Sequence, residues 1–205
     1  MTSGPRRDMI VIGTSAGGVQ ALRQLFGSLP ADLAATVAVV IHRSPFAESV
    51  LAEVLRRSSR LPVSEPKHAE RFAKGRIYLA PRDHHLLVED GRLLLTRGAK
   101  EHYTRPAVDP LFRSAAESWG RRVIGVVLTG SGDDGVSGLI AVKAAGGMSL
   151  VQDPAEAVHD SMPESAIEQD HVDGILTLDE LAEELPRLVA GASLRSHPRR
   201  AAVAR

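Results

Sequence analysis

Three runs of the chain are apolar almost without interruption: Met9–Gly13 (MIVIG), Val37–Ile41 (VAVVI) and Val123–Thr129 (VIGVVLT). A strand with one wet face alternates apolar and polar residues. A strand covered on both faces does not, so these runs predict buried strands of a parallel sheet. Between the first two runs the apolar residues move to helical spacing. Val19, Leu22, Leu25, Phe26 and Leu29 predict a helix over Val19–Ser28. Val50, Leu51, Val54 and Leu55 predict another over Ser49–Arg57, with those side chains inward. Strand, helix, strand, helix is the order of an α/β protein whose sheet is covered on both sides.

The middle of the chain changes rhythm. Ile77–Ala80 reads as a brief strand, and Leu86–Glu89 and Leu93–Thr96 flank Asp90-Gly91. That dipeptide is a hairpin turn signal, which predicts an antiparallel meander at one edge of the sheet. Pro106 sets up a helix over Val108–Trp119. After Val123–Thr129 come the loop Gly130–Gly135 and a helix over Val136–Ala145, stopped by Gly146-Gly147. Met148–Gln152 is the next strand, and Met162–Gln169 reads as helical. Thr177 and Glu180 form a capping-box pattern that opens a last helix, ending near Val189.

Composition narrows the classes. The chain has 205 residues, 43% hydrophobic and 24% charged, which suits one globular domain. That domain is expected over residues 9–189, with flexible tails at 1–8 and 190–205. The second tail carries Arg195, Arg199, Arg200 and Arg205 without an acid. Lys+Arg and Asp+Glu are both 25, so no global field favours nucleic acid or an acidic membrane. Aromatic residues are 3%, with Trp119 the sole tryptophan, too few rings for a base-stacking platform. The absence of cysteine excludes disulfides, thiolate metal sites and a Cys nucleophile. No apolar run approaches the ~20 residues of a membrane span, and the start, MTSGPRRDM, has no apolar signal core. The expected location is cytoplasmic, without membrane insertion.

In open parallel sheets, ligands gather outside the carboxyl ends of the strands. The first strand runs into Gly13-Thr14-Ser15-Ala16-Gly17-Gly18, the second ends at His42, and Val123–Thr129 ends in Gly130-Ser131-Gly132-Asp133-Asp134-Gly135. If these strands are parallel neighbours, a serine, a histidine and an aspartate converge on one rim, the set a serine hydrolase needs. Ser15 sits in G-x-S-x-G, where a tight strand-to-helix turn exposes the hydroxyl and the helix N-terminus offers N–H groups to an oxyanion. Glycine-rich turns of this kind also cradle phosphate, so a phosphate- or nucleotide-binding module is the competing class. It lacks the G-x-G-x-x-G pattern, the acid closing the second strand and the P-loop lysine. An ordinary α/β-hydrolase fits poorly as well, because its elbow follows several strands and its order is serine, acid, histidine. His42 could equally be a satisfied strand-end histidine. His84 and His85 are adjacent and would point to opposite faces. No H-E-x-x-H is present to support a zinc hydrolase. Spacing does not choose between Asp133 and Asp134, and either could cap the following helix.

Further segments accompany these loops: RPAVDPLF (Arg105–Phe112), LTGSGDDG (Leu128–Gly135), GMSLVQDP (Gly147–Pro154) and MPESAI (Met162–Ile167). With them the chain resembles, from about Met9 to Val189, the catalytic domain of the chemotaxis protein-glutamate methylesterase family, CheB. The resemblance implies a doubly wound, mostly parallel α/β sheet with an antiparallel hairpin. It implies Ser15 as nucleophile, His42 as general base and Asp134 as the orienting carboxylate, with no metal or organic cofactor. The implied substrates are methylated glutamates, and certain glutamines, on the cytoplasmic helices of chemoreceptors; a related esterase outside chemotaxis is the alternative. Ala16 stands where the family commonly has threonine, and Ser131 where it usually has methionine. Both would lie near the nucleophile and touch substrate. Arg105 could pair with acids flanking the target, its plainer reading being a solvated arginine. The family commonly carries an N-terminal phosphoreceiver domain, for which this sequence has no room, so a stand-alone form is expected.

Overall fold

The apolar runs lie side by side, and the computed structural model describes residues 6–43, 50–170 and 172–195. In chain order the elements are β1 (Met9–Thr14), α1 (Gly18–Ser28), β2 (Thr36–Ile41), α2 (Leu51–Ser58), β3 (Val63–Ser64), β4 (Glu70–Arg71), β5 (Arg76–Leu79), β6 (His85–Glu89) and β7 (Arg92–Thr96). They continue with α3 (Val108–Trp119), a short 3-10 turn, β8 (Val123–Val127), α4 (Val136–Ala144), β9 (Met148–Gln152), α5 (Ser161–Gln169), β10 (Gly174–Leu176) and α6 (Leu178–Val189). Residues 1–5 and 196–205 of the expected tails, and Ser49 at the start of the second expected helix, lie outside the described residues.

Among the described residues, seven strands pair in parallel in the order β10-β9-β8-β1-β2-β5-β3. Alternation along each strand divides the core in two. Ile10 and Ile12 of β1 face α1, α2 and α6, together with Leu22, Phe26, Leu55 and Leu185. Met9 and Val11 face the other layer, with Leu111, Phe112, Leu139 and Met162 from α3, α4 and α5. Each such side chain, fully buried, contributes about 2 kcal/mol through lost apolar hydration. The sheet is therefore doubly wound. Its order reverses between β1 and β8, and the crevice at that switch point is where this architecture places ligands.

Two expectations change. The hairpin β6–β7 does not extend the main sheet but joins β4 in a separate three-stranded antiparallel sheet. Its Leu86, Val88 and Leu93 bury into the second core layer. Backbone groups of Val88 bond to the hydroxyls of Ser114 and Ser118 on α3, so the hairpin lies along that helix. The sheet edge beside β5 belongs to β3, two residues too short to read from sequence. Val19 and Val50, counted among the apolar faces of their helices, are instead exposed. The capping box of α6 forms as expected: Thr177 Oγ1 accepts from the Glu180 N–H at 3.2 Å, and the Glu180 carboxylate accepts from the Thr177 N–H at 2.7 Å.

Asp8 anchors the foot of β1. Its buried carboxylate meets Arg122 at 2.7 Å and Lys74 at 2.6 Å. Burial alone would push this carboxyl up, but the two cations outweigh it and hold it at about 2. A group held below its unfolded value stabilises the fold above the ordinary carboxylate range, and that contribution is lost as pH falls toward 2. Asp8→Asn should cost about 2 kcal/mol near neutrality. It should also flatten the fall of the denaturant midpoint between pH 5 and pH 2.5, both measured by chemical unfolding.

Candidate active site

The site begins with the way β1 ends. The Ser15 N–H donates to the Thr129 carbonyl at 3.1 Å, and the Ser15 carbonyl accepts from the Gly18 N–H at 3.0 Å. The chain thus turns sharply into α1. Gly17 precedes the helix at φ +78°, in the left-handed region that glycine adopts at little cost. A Cβ on Gly130 would collide with Met162 Sδ and stand 2.9 Å from Ser15 Cβ, so the glycine lets the two loops touch.

His42 leaves the neighbouring strand at the same level. Thr14 pairs with Ile41 across β1 and β2, and the His42 N–H donates to the Thr14 carbonyl at 3.1 Å. Register therefore carries Ser15 and His42 off adjacent strands together. Thr129, two residues past the end of β8, ties these turns to a third. Its hydroxyl lies 3.0 Å from the Ala16 carbonyl and accepts from the His159 N–H at 2.9 Å, while its own N–H donates to Gln152 Oε1 at 2.8 Å.

The buried carboxylate of Asp134 closes the arrangement. Its Oδ2 is 2.7 Å from His42 Nε2, and it also accepts from the N–H groups of Val108 at 2.6 Å and Asp109 at 3.0 Å. Burial alone would push this carboxyl up; the His42 bond and the two N–H donors outweigh it and hold it below the ordinary range. An ionised Asp134 fixes Nε2 as the protonated nitrogen of a neutral His42 and leaves Nδ1 as the basic one.

Of the two adjacent acids, Asp134 meets His42, while Asp133 is exposed and faces His102 at 3.1 Å. Neither carboxylate caps its own helix. Asp134 instead caps α3, through the first N–H groups of that helix. In return, Asp109 of α3 accepts from the N–H groups of Gly135 and Gly138 at the start of α4, at 3.1 and 2.7 Å. The two helices exchange caps, and each cap is a buried acid.

Other expected residues fall in varied places. Ala16 is half-buried beside the start of α1, and Ser131 is exposed on the loop after β8. Arg105 is committed within the fold: its guanidinium bonds to Asp83 at 2.9 and 2.6 Å and to the Gly98 carbonyl at 2.6 Å. The Asp83 carboxyl is lowered by that bond with Arg105. His85 is buried, with Nε2 2.9 Å from the Ala99 carbonyl and Nδ1 accepting from the Ala107 N–H. His102, Asp109 and Asp134 bring possible metal-ligand atoms within 4.8 Å of one another. All four carboxylate oxygens of Asp109 and Asp134 already accept hydrogen bonds, so the group reads as a charge network. Sequence reading missed His102, Asp109, Thr129 and Gln152. The one available signal was Asp109 in the first turn of a predicted helix, a position favoured by the helix dipole.

The geometry can be set beside known proteins. The CheB methylesterase family profile matches residues 10–185. A putative protein-glutamate methylesterase/protein-glutamine glutaminase of Leptospira interrogans serovar copenhageni is 36% identical over 182 residues, covering 88% of this chain and 94% of that protein. Its counterpart "2" in Anaeromyxobacter dehalogenans is 40% identical over 183 residues, covering 89% of this chain but 54% of that protein. The chain thus spans nearly all of the first relative and about half of the second. The crystal structure of the Thermotoga maritima CheB methylesterase catalytic domain superposes with a TM-score of 0.85 at 35% identity, covering 90% of this chain and all of that one. With one profile reaching every strand of the main sheet and spanning all three site loops, and a solved relative sharing the architecture, the chain belongs to the CheB methylesterase family.

Proposed function

We propose that the chain is a serine hydrolase that removes methyl esters from glutamate side chains of chemoreceptor cytoplasmic helices, and deamidates certain glutamines there. Support comes from the curated relatives, named for both activities. The single observation that carries the reading is the 2.7 Å bond between His42 and the buried Asp134, on the strand next to the one that delivers Ser15.

In this reading His42 Nδ1 takes the Ser15 proton as Oγ attacks the ester carbonyl. The developing oxyanion is met by backbone N–H groups at the start of α1 and in the Ser131 loop, donors typically worth about 3 kcal/mol each. The tetrahedral intermediate collapses, and methanol leaves with the proton returned by His42. Water then attacks the glutamyl ester of Ser15, giving up its proton to His42, and glutamate departs as Ser15 is restored. A glutamine substrate follows the same path with ammonia as the leaving group. Throughout, Asp134 holds the imidazole orientation and stabilises its charged form. Ala16 and Ser131, small residues beside the attacking hydroxyl in this scheme, leave room for a side-chain ester to approach.

Methanol release from a methylated chemoreceptor helical fragment tests the reading, with small methyl esters as comparison. Release from the fragment is expected. Release from small esters alone would place the substrate outside chemotaxis. Tight nucleotide binding with no release from either would favour the phosphate-binding alternative.

A further inference from the structure

A second imidazole stands behind the first. His102 Nε2 lies 2.9 Å from Asp109 Oδ2 and 3.8 Å from Asp134 Oδ1, and its Nδ1 lies 3.1 Å from Asp133 Oδ1. Both ring nitrogens face carboxylate oxygens. An ionised carboxylate only accepts hydrogen bonds, whereas a neutral imidazole has one accepting nitrogen that would oppose a lone pair. The ring satisfies both neighbours only as the imidazolium, with two donors.

The surroundings call for that charge. Asp109 and Asp134 are both buried and exchange helix caps, so they stand close together. Two neighbouring carboxylates disfavour each other's ionisation. Burial raises the Asp109 carboxyl, and the charge of Asp134 raises it further. Among the described residues, the other cation near the pair is Arg113 on α3, 3.9 Å from Asp109 Oδ2. That arginine is itself engaged by both oxygens of Glu101 at 2.8 and 2.7 Å. His102 is thus the closer compensating charge. Its own titration responds accordingly: partial burial would lower it, but Asp109, Asp134 and Asp133 outweigh this and raise it.

We propose that His102 is held as an imidazolium and acts as a positioning residue, countering the paired negative charge of Asp109 and Asp134 and setting how strongly Asp134 draws on the Nε2 proton of His42. His102 does not touch the reacting atoms. It acts through Asp134, and so rests on the reading of Ser15, His42 and Asp134 as the catalytic set.

The test uses His102→Asn, neutral and tolerant of the positive φ of 48° at this residue, and His102→Lys, which restores a cation. Loss of the cation leaves more negative potential around His42 and favours its protonated form. The acid limb of kcat/KM should therefore move to higher pH in His102→Asn, by about half a unit, and return toward the parent position in His102→Lys. Two NMR measurements are independent of activity. The His102 ring should titrate above the ordinary histidine range, and the proton signal of the His42–Asp134 hydrogen bond should shift in His102→Asn. A His102 ring titrating at or below that range overturns the proposal, as does an unmoved His42–Asp134 proton signal in a folded His102→Asn. If the NMR results hold but the parent lacks esterase activity, the catalytic reading fails while the charge assignment stands.

Discussion

Ser15→Ala is expected to lower kcat for methyl-ester hydrolysis by about 10⁴- to 10⁶-fold while leaving the fold intact. Ser15 holds its place through the backbone, with its N–H on the Thr129 carbonyl and its carbonyl on the Gly18 N–H. Both bonds survive the substitution. Removing Oγ removes only the nucleophile, so substrate affinity should change little and thermal unfolding should match the parent within a few degrees. Methanol release under single-turnover conditions would check this, with unfolding followed in parallel. Activity within a few-fold of the parent would rule out a nucleophilic Ser15.

Asp134→Asn is expected to lower kcat by about 10⁴-fold, for a different reason. The carboxylate accepts from three donors: His42 Nε2 and the N–H groups of Val108 and Asp109. A carboxamide has one accepting oxygen and one donating nitrogen. If the carboxamide oxygen takes the Oδ1 place, on the Asp109 N–H, its NH₂ takes the Oδ2 place, where it meets the Val108 N–H and forces His42 into the tautomer whose proton is on Nδ1, the nitrogen that must be basic. If it turns the other way, its oxygen still accepts from His42 Nε2 and the Val108 N–H, its NH₂ opposes the Asp109 N–H, and the negative charge that stabilises the imidazolium is gone. Either orientation breaks one buried bond to the start of α3, at about 1–3 kcal/mol, and the first also removes the basic nitrogen of His42. The rate separates the two, and the denaturant midpoint measured on the same preparation reads the broken bond. A near-parental rate would show that the carboxylate does not orient His42.

The main sheet was legible because strands buried on both faces leave unbroken apolar runs, and β1, β2 and β8 each carry one. The ends of α3 and α6 were legible for local reasons, Pro106 before one and the Thr177–Glu180 box before the other. The strands β3 and β4 were not, since two residues hold no periodicity. The hairpin was visible from Asp90-Gly91, yet its docking on α3 depends on Ser114 and Ser118, ordinary residues in sequence. Ser15, His42 and the aspartate pair could be located because strand ends mark the functional rim. The pairing of Asp134 with His42 came from resemblance and not from spacing, as Asp133 is chemically identical. Asp109 and His102 escaped notice because their meaning lies in helix ends that come together only in three dimensions.

The exchange of caps between α3 and α4 couples the docking of these helices to the placing of the carboxylate that faces His42. An acid placed locally would be in position as soon as its own helix formed. Here the carboxylate facing His42 is fixed by backbone groups 25 and 26 residues earlier in the chain, and the opposite acid is fixed by groups on the later helix. Neither helix start is complete until both have docked. In the proposed mechanism, a chain with only one of these helices in place carries the serine and the histidine without the carboxylate that orients them, so hydrolytic competence requires both helix starts to be docked.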